Sequence, residues 1–222
     1  MADELINSAH CLPCAVCRSP RTRPFLEIGA QRYFRCERCA ATLLDPACFL
    51  APADERAHYD THENDPADPG YRTFLSRLAD PLLARLAPGQ TGLDYGCGPG
   101  PALATMLREA GHTMATYDPF YDRNADALSA AYDFITCTET IEHFHRPNDE
   151  FRRLDGLLRP GGILAVMTMF QTDDGRFAGW HYRKDPTHVV FYREQTLQVI
   201  AGDFGWTCDF PAPNVAFFVK SV

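Results

Sequence analysis

The fold follows from one stretch of the sequence, Leu93-Asp94-Tyr95-Gly96-Cys97-Gly98-Pro99-Gly100-Pro101-Ala102. Apolar residues that predict a short buried strand lead into three glycines, and a helical pattern begins at Ala102. Glycine has no side chain, so its backbone can turn sharply and approach a ligand closely. Pro101 suits the first turn of a helix, where its missing N–H would have no partner anyway. The stretch therefore predicts a strand, a ligand-binding loop and a helix in succession.

An acidic residue follows the next predicted strand. Thr113 to Tyr117 has the pattern of a strand, and Asp118 comes 18 residues after Gly100. A carboxylate at the tip of a second strand can bind two ribose hydroxyls. The glycine spacing differs from the dinucleotide fingerprint G-x-G-x-x-G, because the third glycine comes one residue early. A nicotinamide-dependent dehydrogenase is therefore the least favoured enzyme class.

Strands and helices alternate along the rest of the chain, which predicts a mostly parallel sheet covered by helices on both faces. The last two strands are joined by a short link and predict an antiparallel hairpin at one edge of the sheet. The further predicted elements are helices at Ala102 to Ala110, Asn148 to Leu158 and Arg193 to Gly205, and strands at Phe134 to Cys137, Gly162 to Met169, Thr207 to Phe210 and Ala216 to Lys220.

Two C-x2-C pairs lie near the start of the chain, Cys14-Ala-Val-Cys17 and Cys36-Glu-Arg-Cys39. Four thiolates at this spacing are typical of a tetrahedral zinc site. Cys11 forms a competing C-x2-C pair with Cys14, and we favour Cys14 and Cys17 because each chosen pair then precedes a similar turn. Four sulfurs leave no position for a catalytic water, so such a zinc ion would be structural. The connecting residues Phe25 to Phe34 predict a small β-ribbon.

Composition separates three regions, a cysteine-rich module at residues 1–50, a helical linker or cap at 51–91, and an α/β domain at 92–222. In the middle region, Tyr71 to Ala87 has helical periodicity. Pro81 predicts a kink or a restart of that helix, with Asp80 as its N-cap.

The net charge of the 222-residue chain is −8, which disfavours nucleic acid as a partner. Residues 18–38 are nevertheless locally basic, so a phosphate-binding face there stays open. No apolar run approaches the roughly 18 residues of a membrane span. Because the acidic start Met1 to Leu5 lacks the features of an export signal, we expect a cytoplasmic protein.

Four motifs in the same order make residues 92–222 resemble the Rossmann-like S-adenosylmethionine-dependent methyltransferases. They are the glycine loop, Asp118, Tyr132 to Phe144, and Leu157 to Leu164. The cysteine pairs resemble the zinc-binding region that precedes some of these enzymes, including sugar-modifying ones. The resemblance implies an α/β fold with a Rossmann-like sheet, an antiparallel C-terminal edge hairpin and a small zinc-ribbon-like module. It also implies two bound groups, S-adenosyl-L-methionine and zinc.

The resemblance assigns the cofactor to the tips of the first strands. It implies cofactor binding by Asp94, Tyr95, Gly96, Cys97, Gly98, Gly100, Asp118, Pro119, Thr136, Cys137 and Thr138. Only 15 residues separate Asp118 from Asp133, where the family usually has a helix and a third strand. That unit is therefore predicted to be shortened or lost, and Asp126-Ala127-Leu128 is the candidate contact for adenine.

Three histidines are the candidate catalytic residues. His143 follows a predicted strand at the point where the acceptor pocket usually opens, and its ordinary pKa suits a general base. His181 and His188 lie in the segment Trp180 to Tyr192, which predicts a lid over the acceptor. The alternatives are that His143 braces a helix start, that the segment is a self-packed loop, or that His181, Asp185 and His188 bind a second metal ion.

The leading functional hypothesis is a methyltransferase that acts on a small-molecule acceptor, such as a sugar or another metabolite. One alternative is an RNA or protein methyltransferase that uses the cysteine module for docking. Another is a non-enzymatic interaction protein with a vestigial cofactor fold, although the intact glycines speak against decay. A DNA amino-methyltransferase is disfavoured because no Asn/Asp-Pro-Pro-aromatic motif is present. The acceptor and the oligomeric state are beyond what the sequence can indicate.

Overall fold

The computed structural model describes residues 12–61 and 65–222. Cys11, the alternative metal ligand, lies outside the described residues. The strands are β1 (Thr22–Ile28), β2 (Gln31–Cys36), β3 (Thr42–Leu44), β4 (Thr91–Tyr95), β5 (Thr113–Tyr117), β6 (Tyr132–Thr138), β7 (Leu158–Met167), β8 (Val190–Phe191), β9 (Thr207–Ala212) and β10 (Val215–Val219). The helices are α1 (Pro52–Tyr59), α2 (Pro69–Leu83), α3 (Ala102–Glu109), α4 (Pro147–Leu157) and α5 (Glu194–Phe204).

A six-stranded sheet forms the centre of the molecule, in the order β5-β4-β6-β7-β10-β9. The first four strands of this order are parallel, and β10 is antiparallel to both β7 and β9. Asn214 has a φ of 64° in the tight turn between β9 and β10, a conformation that asparagine tolerates. The predicted fold class, including the C-terminal edge hairpin, is confirmed.

Apolar side chains bury both faces of the sheet. Neighbouring residues of β6, Phe134 and Ile135, belong to two separate core clusters because successive side chains of a strand point to opposite faces. Phe134 packs with apolar residues of α2 and α3, and Ile135 packs with those of α4 and α5. Helices therefore cover both faces, as the alternation of elements predicts.

Helix α2 differs from its prediction at both ends, and its last residue is Leu83 rather than Ala87. It begins at Pro69 rather than Tyr71, and the N-cap is Asp68, whose carboxylate accepts hydrogen bonds from the backbone N–H groups of Gly70 and Tyr71, each at 3.0 Å. Pro81 lies inside the helix without restarting it. This position near the C-terminal end is tolerated because proline removes only one hydrogen bond of the last turn.

A second, four-stranded sheet has the order β1-β2-β3-β8 and shares a core cluster with one face of the central sheet. The predicted ribbon corresponds to β1 and β2, and β3 adds a third strand. The fourth strand, β8, comes from the far end of the chain, with Leu43 opposite Val190 and Thr42 opposite Phe191. The division at residues 50 and 91 stays a prediction, and the cysteine module shares its sheet with the third region.

Between β5 and β6, no further strand or α-helix occurs in this fully described segment, only a short 3-10 helix at Asp126–Leu128. Asp118 and Asp122 form an isolated antiparallel bridge that turns the chain back at once. Within the described ranges, no helix is long and apolar enough to cross a membrane.

Candidate functional site

A cavity of about 640 Å³ opens where the parallel strands end. Its walls come from the loops that follow β4, β5 and β6, from α1 and the start of α2, and from the segment between β7 and β8. In parallel α/β sheets, ligands bind in the crevice at the carboxyl ends of the strands. The size is that of a typical small-molecule site.

The glycine loop after β4 forms one end of the cavity. Gly96 and Gly98 have φ angles of 78° and 64°, in the left-handed region that glycine adopts readily. The N–H of Gly96 donates to the carbonyl of Tyr117 at 2.8 Å, which ties the loop to the end of β5. Thr140 packs so closely over Gly96 that a Cβ there would lie 2.3 Å from its methyl carbon. The backbone of the loop is therefore exposed to the cavity and fixed from behind.

Asp118 lies directly beside the glycine loop. One carboxylate oxygen accepts the N–H of Gly98 at 3.0 Å, and the other accepts the N–H groups of Phe120 and Tyr121 at 2.8 and 3.0 Å. The carboxylate is held by three backbone donors from two loops. The hypothesis of a bound S-adenosylmethionine depends on this closeness of the glycine loop and Asp118.

The predicted cofactor residues fall into two groups. Seven line the cavity: Tyr95, Gly96, Cys97, Gly98, Asp118, Pro119 and Thr138. Four lie behind its wall instead: Asp94, Gly100, Thr136 and Cys137. Asp94 is buried and accepts a hydrogen bond from Thr136 Oγ1 at 2.7 Å, and burial raises the pKa of its carboxyl to about 6. These two side chains connect β4 to β6 and support the loop from inside the sheet.

Two polar groups at the tip of β6 fit a polar, cationic ligand. The hydroxyl of Thr138 is buried and has no hydrogen-bond partner among the described residues. Glu139 lines the cavity with a φ of 47°, and burial raises the pKa of its carboxyl to about 7. A bound cation next to Glu139 would favour its charged form. An orphaned hydroxyl and a desolvated carboxyl suit a cofactor that carries both polar groups and a positive charge.

The candidate adenine contact is not at the cavity. Asp126 is exposed, and Ala127 packs beneath the sheet, where its carbonyl accepts the hydroxyl of Tyr132 at 2.8 Å. Only the short 3-10 helix lies between β5 and β6, so no further strand or α-helix carries a side chain from this segment to the cavity. Aromatic side chains that line the cavity next to Asp118 are Tyr117, Phe120 and Tyr121. In the sequence these three aromatic residues cluster around Asp118, but the prediction did not include Phe120 and Tyr121 or use Tyr117 as a cavity residue.

The three candidate catalytic histidines all line the same cavity as the glycine loop. His143 and His188 meet there, with ring centroids 4.7 Å apart, whereas His181 is exposed at the mouth. The ring Nδ1 of His143 lies 3.1 Å from the carbonyl oxygen of Thr187, and that of His188 lies 2.7 Å from the carbonyl oxygen of Tyr182. Both carbonyls belong to the predicted lid segment.

Helix α1 closes the cavity through polar contacts that sequence patterns did not indicate. Arg56 Nη1 donates to the carbonyl of Phe120 at 3.1 Å, and His58 Nε2 lies 3.2 Å from Asp185 Oδ2. Glu55 is buried and accepts the hydroxyl of Tyr59 at 2.9 Å. The short helix has little apolar periodicity, so a pattern search gives no signal for its role.

The four predicted metal ligands come together in the small module. The Sγ atoms of Cys14 and Cys39 are 3.6 Å apart, as are those of Cys17 and Cys36. A regular tetrahedron with Zn–S bonds of about 2.3 Å places sulfurs about 3.8 Å apart, so the four cysteines fit zinc. Both pairs end in the same turn. Arg18 and Ala40 have φ angles of 57° and 60°, and their N–H groups donate to the carbonyls of the first cysteine of each pair.

Comparison with known proteins identifies a family and several relatives of this chain. The methyltransferase domain family matches residues 34–209. The chain is 32% identical over 87 residues to a ubiquinone biosynthesis O-methyltransferase of Sodalis glossinidius, covering 39% of this chain and 35% of that protein. It is 34% identical over 87 residues to the protein of the same name from Pectobacterium atrosepticum, covering 39% and 36%. The matches thus span about a third of the length of these relatives.

A solved structure with a similar fold is the 1,6-didemethyltoxoflavin-N1-methyltransferase of Burkholderia thailandensis with bound S-adenosylhomocysteine. Its TM-score is 0.54 at 18% identity, covering 90% of this chain and all of that one. An O-methyltransferase family protein from the same organism has a TM-score of 0.51 at 18% identity, over 68% and 58% of the two chains. The family match covers most of the chain, and the solved structures agree with it in fold. The chain therefore belongs to the methyltransferase domain family, as the order of its motifs predicted.

Proposed function

We propose that this protein is an S-adenosylmethionine-dependent methyltransferase that acts on a small-molecule acceptor. The observation that carries the proposal is that one cavity is lined both by the glycine loop with Asp118 and by two histidines. The names of the relatives, which are O-methyltransferases, favour a hydroxyl as the acceptor group.

The cofactor supplies an electrophilic methyl group on a sulfonium. Gly96 and Gly98 leave room for its methionine part along the backbone, and Asp118 is assigned to the ribose hydroxyls. Thr138 offers a buried hydroxyl without a protein partner. Aromatic faces and carboxylates around the cavity attract a cation. The main task of the protein is then to align the two reactants and to exclude water.

The acceptor is assigned to the end of the cavity under α1 and the lid segment Trp180 to Tyr192. His143 and His188 line this end and are the candidate bases for a hydroxyl that must lose its proton. His181, exposed at the mouth, is assigned to contact with the acceptor as it enters.

A zinc ion bound by Cys14, Cys17, Cys36 and Cys39 is part of the same proposal. These four cysteines are buried, and their sulfurs lie at distances that suit a closed tetrahedral site. The ion would stabilise a module that has little apolar core of its own. Because four sulfur ligands leave no position for a water or a substrate, the ion would take no part in the chemistry.

The charge of the cysteine module favours a small molecule over RNA. Four of its basic side chains are ion-paired within the chain: Arg18 with Asp149, Arg32 with Asp45, Arg35 with Asp174 and Arg38 with Asp203. A guanidinium that is already paired binds phosphate less strongly. The locally basic sequence is therefore largely neutralised in the fold.

Calorimetry with S-adenosylhomocysteine tests the proposal without knowledge of the acceptor. We expect one molecule to bind per chain, and binding to weaken in Asp118→Ala. Asp126→Ala is the matched control, because Asp126 is exposed and outside the cavity. A folded protein that does not bind the ligand would contradict the proposal. Methyl transfer is then sought with S-adenosylmethionine and a panel of hydroxylated small molecules, by measuring S-adenosylhomocysteine formed.

A further inference from the structure

Glu142 is a fully buried carboxyl behind the two histidines that line the acceptor end of the cavity. Its side chain has no exposed surface. Oε1 accepts a hydrogen bond from the hydroxyl of Tyr182, and Oε2 has no hydrogen-bond partner among the described residues. A buried, charged carboxyl with so few donors destabilises a fold unless a nearby positive charge offsets this cost.

Both histidines present the same ring nitrogen to this carboxyl. A backbone carbonyl can only accept, so the carbonyls of Thr187 and Tyr182 fix the hydrogen of each ring on Nδ1. The other nitrogen, Nε2, lies 3.9 Å from Glu142 Oε1 in His143 and 4.0 Å away in His188. These distances exceed a hydrogen bond, but in a buried site they allow a strong Coulombic attraction once a ring is protonated.

Other titratable groups also face this cluster. Glu139, three residues earlier, raises the pKa of Glu142 further, and His188 lowers it, but burial has the largest effect and brings the value to about 7. Asp185 Oδ2 lies 3.9 Å from the same Nε2 atom of His188, and it is paired in turn with His58 of α1. The carboxyl of Glu142, with its pKa raised toward neutrality, thus lies close to two imidazoles.

Methyl transfer to a neutral hydroxyl releases a proton. The C–S bond breaks with its electron pair left on sulfur, a C–O bond forms, and the acceptor O–H proton must go to a base. The positive charge that the sulfonium loses then appears on that base. In a site closed to water, a nearby carboxylate stabilises the new charge without reorganisation.

We propose that Glu142 is the positioning residue of a two-histidine base, holding the imidazolium that forms when His143 or His188 takes the proton of the acceptor. The inference rests on the proposed function. It restricts the acceptor to molecules whose attacking atom carries a hydrogen, such as a hydroxyl, and disfavours thioethers and tertiary amines.

The test is an NMR titration of the histidine ring signals in the protein saturated with S-adenosylhomocysteine. In Glu142→Gln, which keeps the size of the side chain, we expect the pKa of His143 or His188 to fall by about one unit, a tenfold loss of proton affinity. Glu150→Gln is the matched control: it removes a carboxylate of the same cavity that is bound to Arg153, and it should leave both titrations unchanged. Glu142→Asp keeps the charge and should restore most of the wild-type behaviour.

Unchanged histidine titrations in folded Glu142→Gln would overturn the inference. If that variant fails to fold, the wild-type protein decides, because groups this close titrate in coupled steps. The ring signals of His143 and His188 must then report a second step near neutral pH that comes from the carboxyl, and its absence would also overturn the inference. The affinity for S-adenosylhomocysteine is read separately. A protein that binds this ligand but shows no coupling retains the proposed function and loses only the role of Glu142.

Discussion

Replacing Gly96 by alanine tests the central geometry of the site. The φ angle of 78° is one that alanine adopts at a cost of about 1–2 kcal/mol. The new Cβ would also lie 2.3 Å from the methyl carbon and 2.6 Å from the hydroxyl oxygen of Thr140. Thr140 cannot move freely, because its hydroxyl donates to the carbonyl of Thr138 at 2.9 Å. Overpacking of this kind typically adds about 1–3 kcal/mol.

A matched control separates the two effects. Gly89 has a φ of 75° and no atom within 4 Å of a built Cβ, and it lies in the turn before β4, away from the cavity. Gly89→Ala should therefore show the backbone strain alone. We expect Gly96→Ala to be the less stable of the two in urea denaturation, and the difference should shrink in the double variant Gly96→Ala/Thr140→Ala, because the clash is removed.

Ligand affinity is the second measurement for this pair. Since the loop backbone must shift to relieve the clash, Gly96→Ala should bind S-adenosylhomocysteine at least about tenfold more weakly, equivalent to 1.4 kcal/mol. Gly89→Ala should bind it as the wild type does. If Gly96→Ala binds the ligand normally and is as stable as Gly89→Ala, the close approach of Thr140 and the assignment of the loop to the cofactor are both refuted.

Three further predictions concern the carboxylate of Asp118, the buried carboxyl of Glu142 and the proposed zinc ion. Asp118→Asn should weaken S-adenosylhomocysteine binding by about tenfold or more in calorimetry, because hydrogen bonds to a charged group contribute about 1.5–3 kcal/mol each; Asp126→Asn should not, and equal losses in both would contradict the assignment. Burial raises the pKa of Glu142 from 4.5 to about 7, so its contribution to stability is fully present below pH 4.5 and is lost as pH rises through 7, by up to about 3 kcal/mol. In urea denaturation, the free energy of unfolding of the wild type should be lower at pH 8 than at pH 5. An equal change between the two pH values in Glu142→Gln would contradict this prediction. Removal of the proposed zinc ion by a chelator, or Cys36→Ser, should speed hydrogen exchange in β8 and leave the affinity for S-adenosylhomocysteine nearly unchanged, since β8 pairs with the cysteine module and the glycine loop does not. An equally large effect on β8 exchange and on ligand affinity would contradict this prediction.

The part of the cavity formed by the glycine loop and Asp118 was largely predictable from the sequence. The glycine loop, the strands around it and the position of Asp118 depend on local rules: glycines permit positive φ angles, strand residues alternate between two faces, and parallel strands end at one edge. The paired cysteines are similar, because x2 spacing within one turn brings two sulfurs to the same side. The loss of a strand–helix unit before Asp133 followed from the shortness of the segment.

The arrangement of the cavity's histidines was decided by tertiary structure. Strand β8 has only two residues, which is too short for a periodic pattern to predict it. It pairs with β3, a strand from near the start of the chain. The sequence singled out His143 and His188 separately, but it could not show that their rings meet or that the buried carboxyl of Glu142 lies about 4 Å from both Nε2 atoms. Such contacts join residues far apart in the chain, and they form only when residues 180–192 pack against the rest of the fold. Local spacing thus determined the fold and the cofactor loop, whereas long-range packing determined which proton-binding groups share a site.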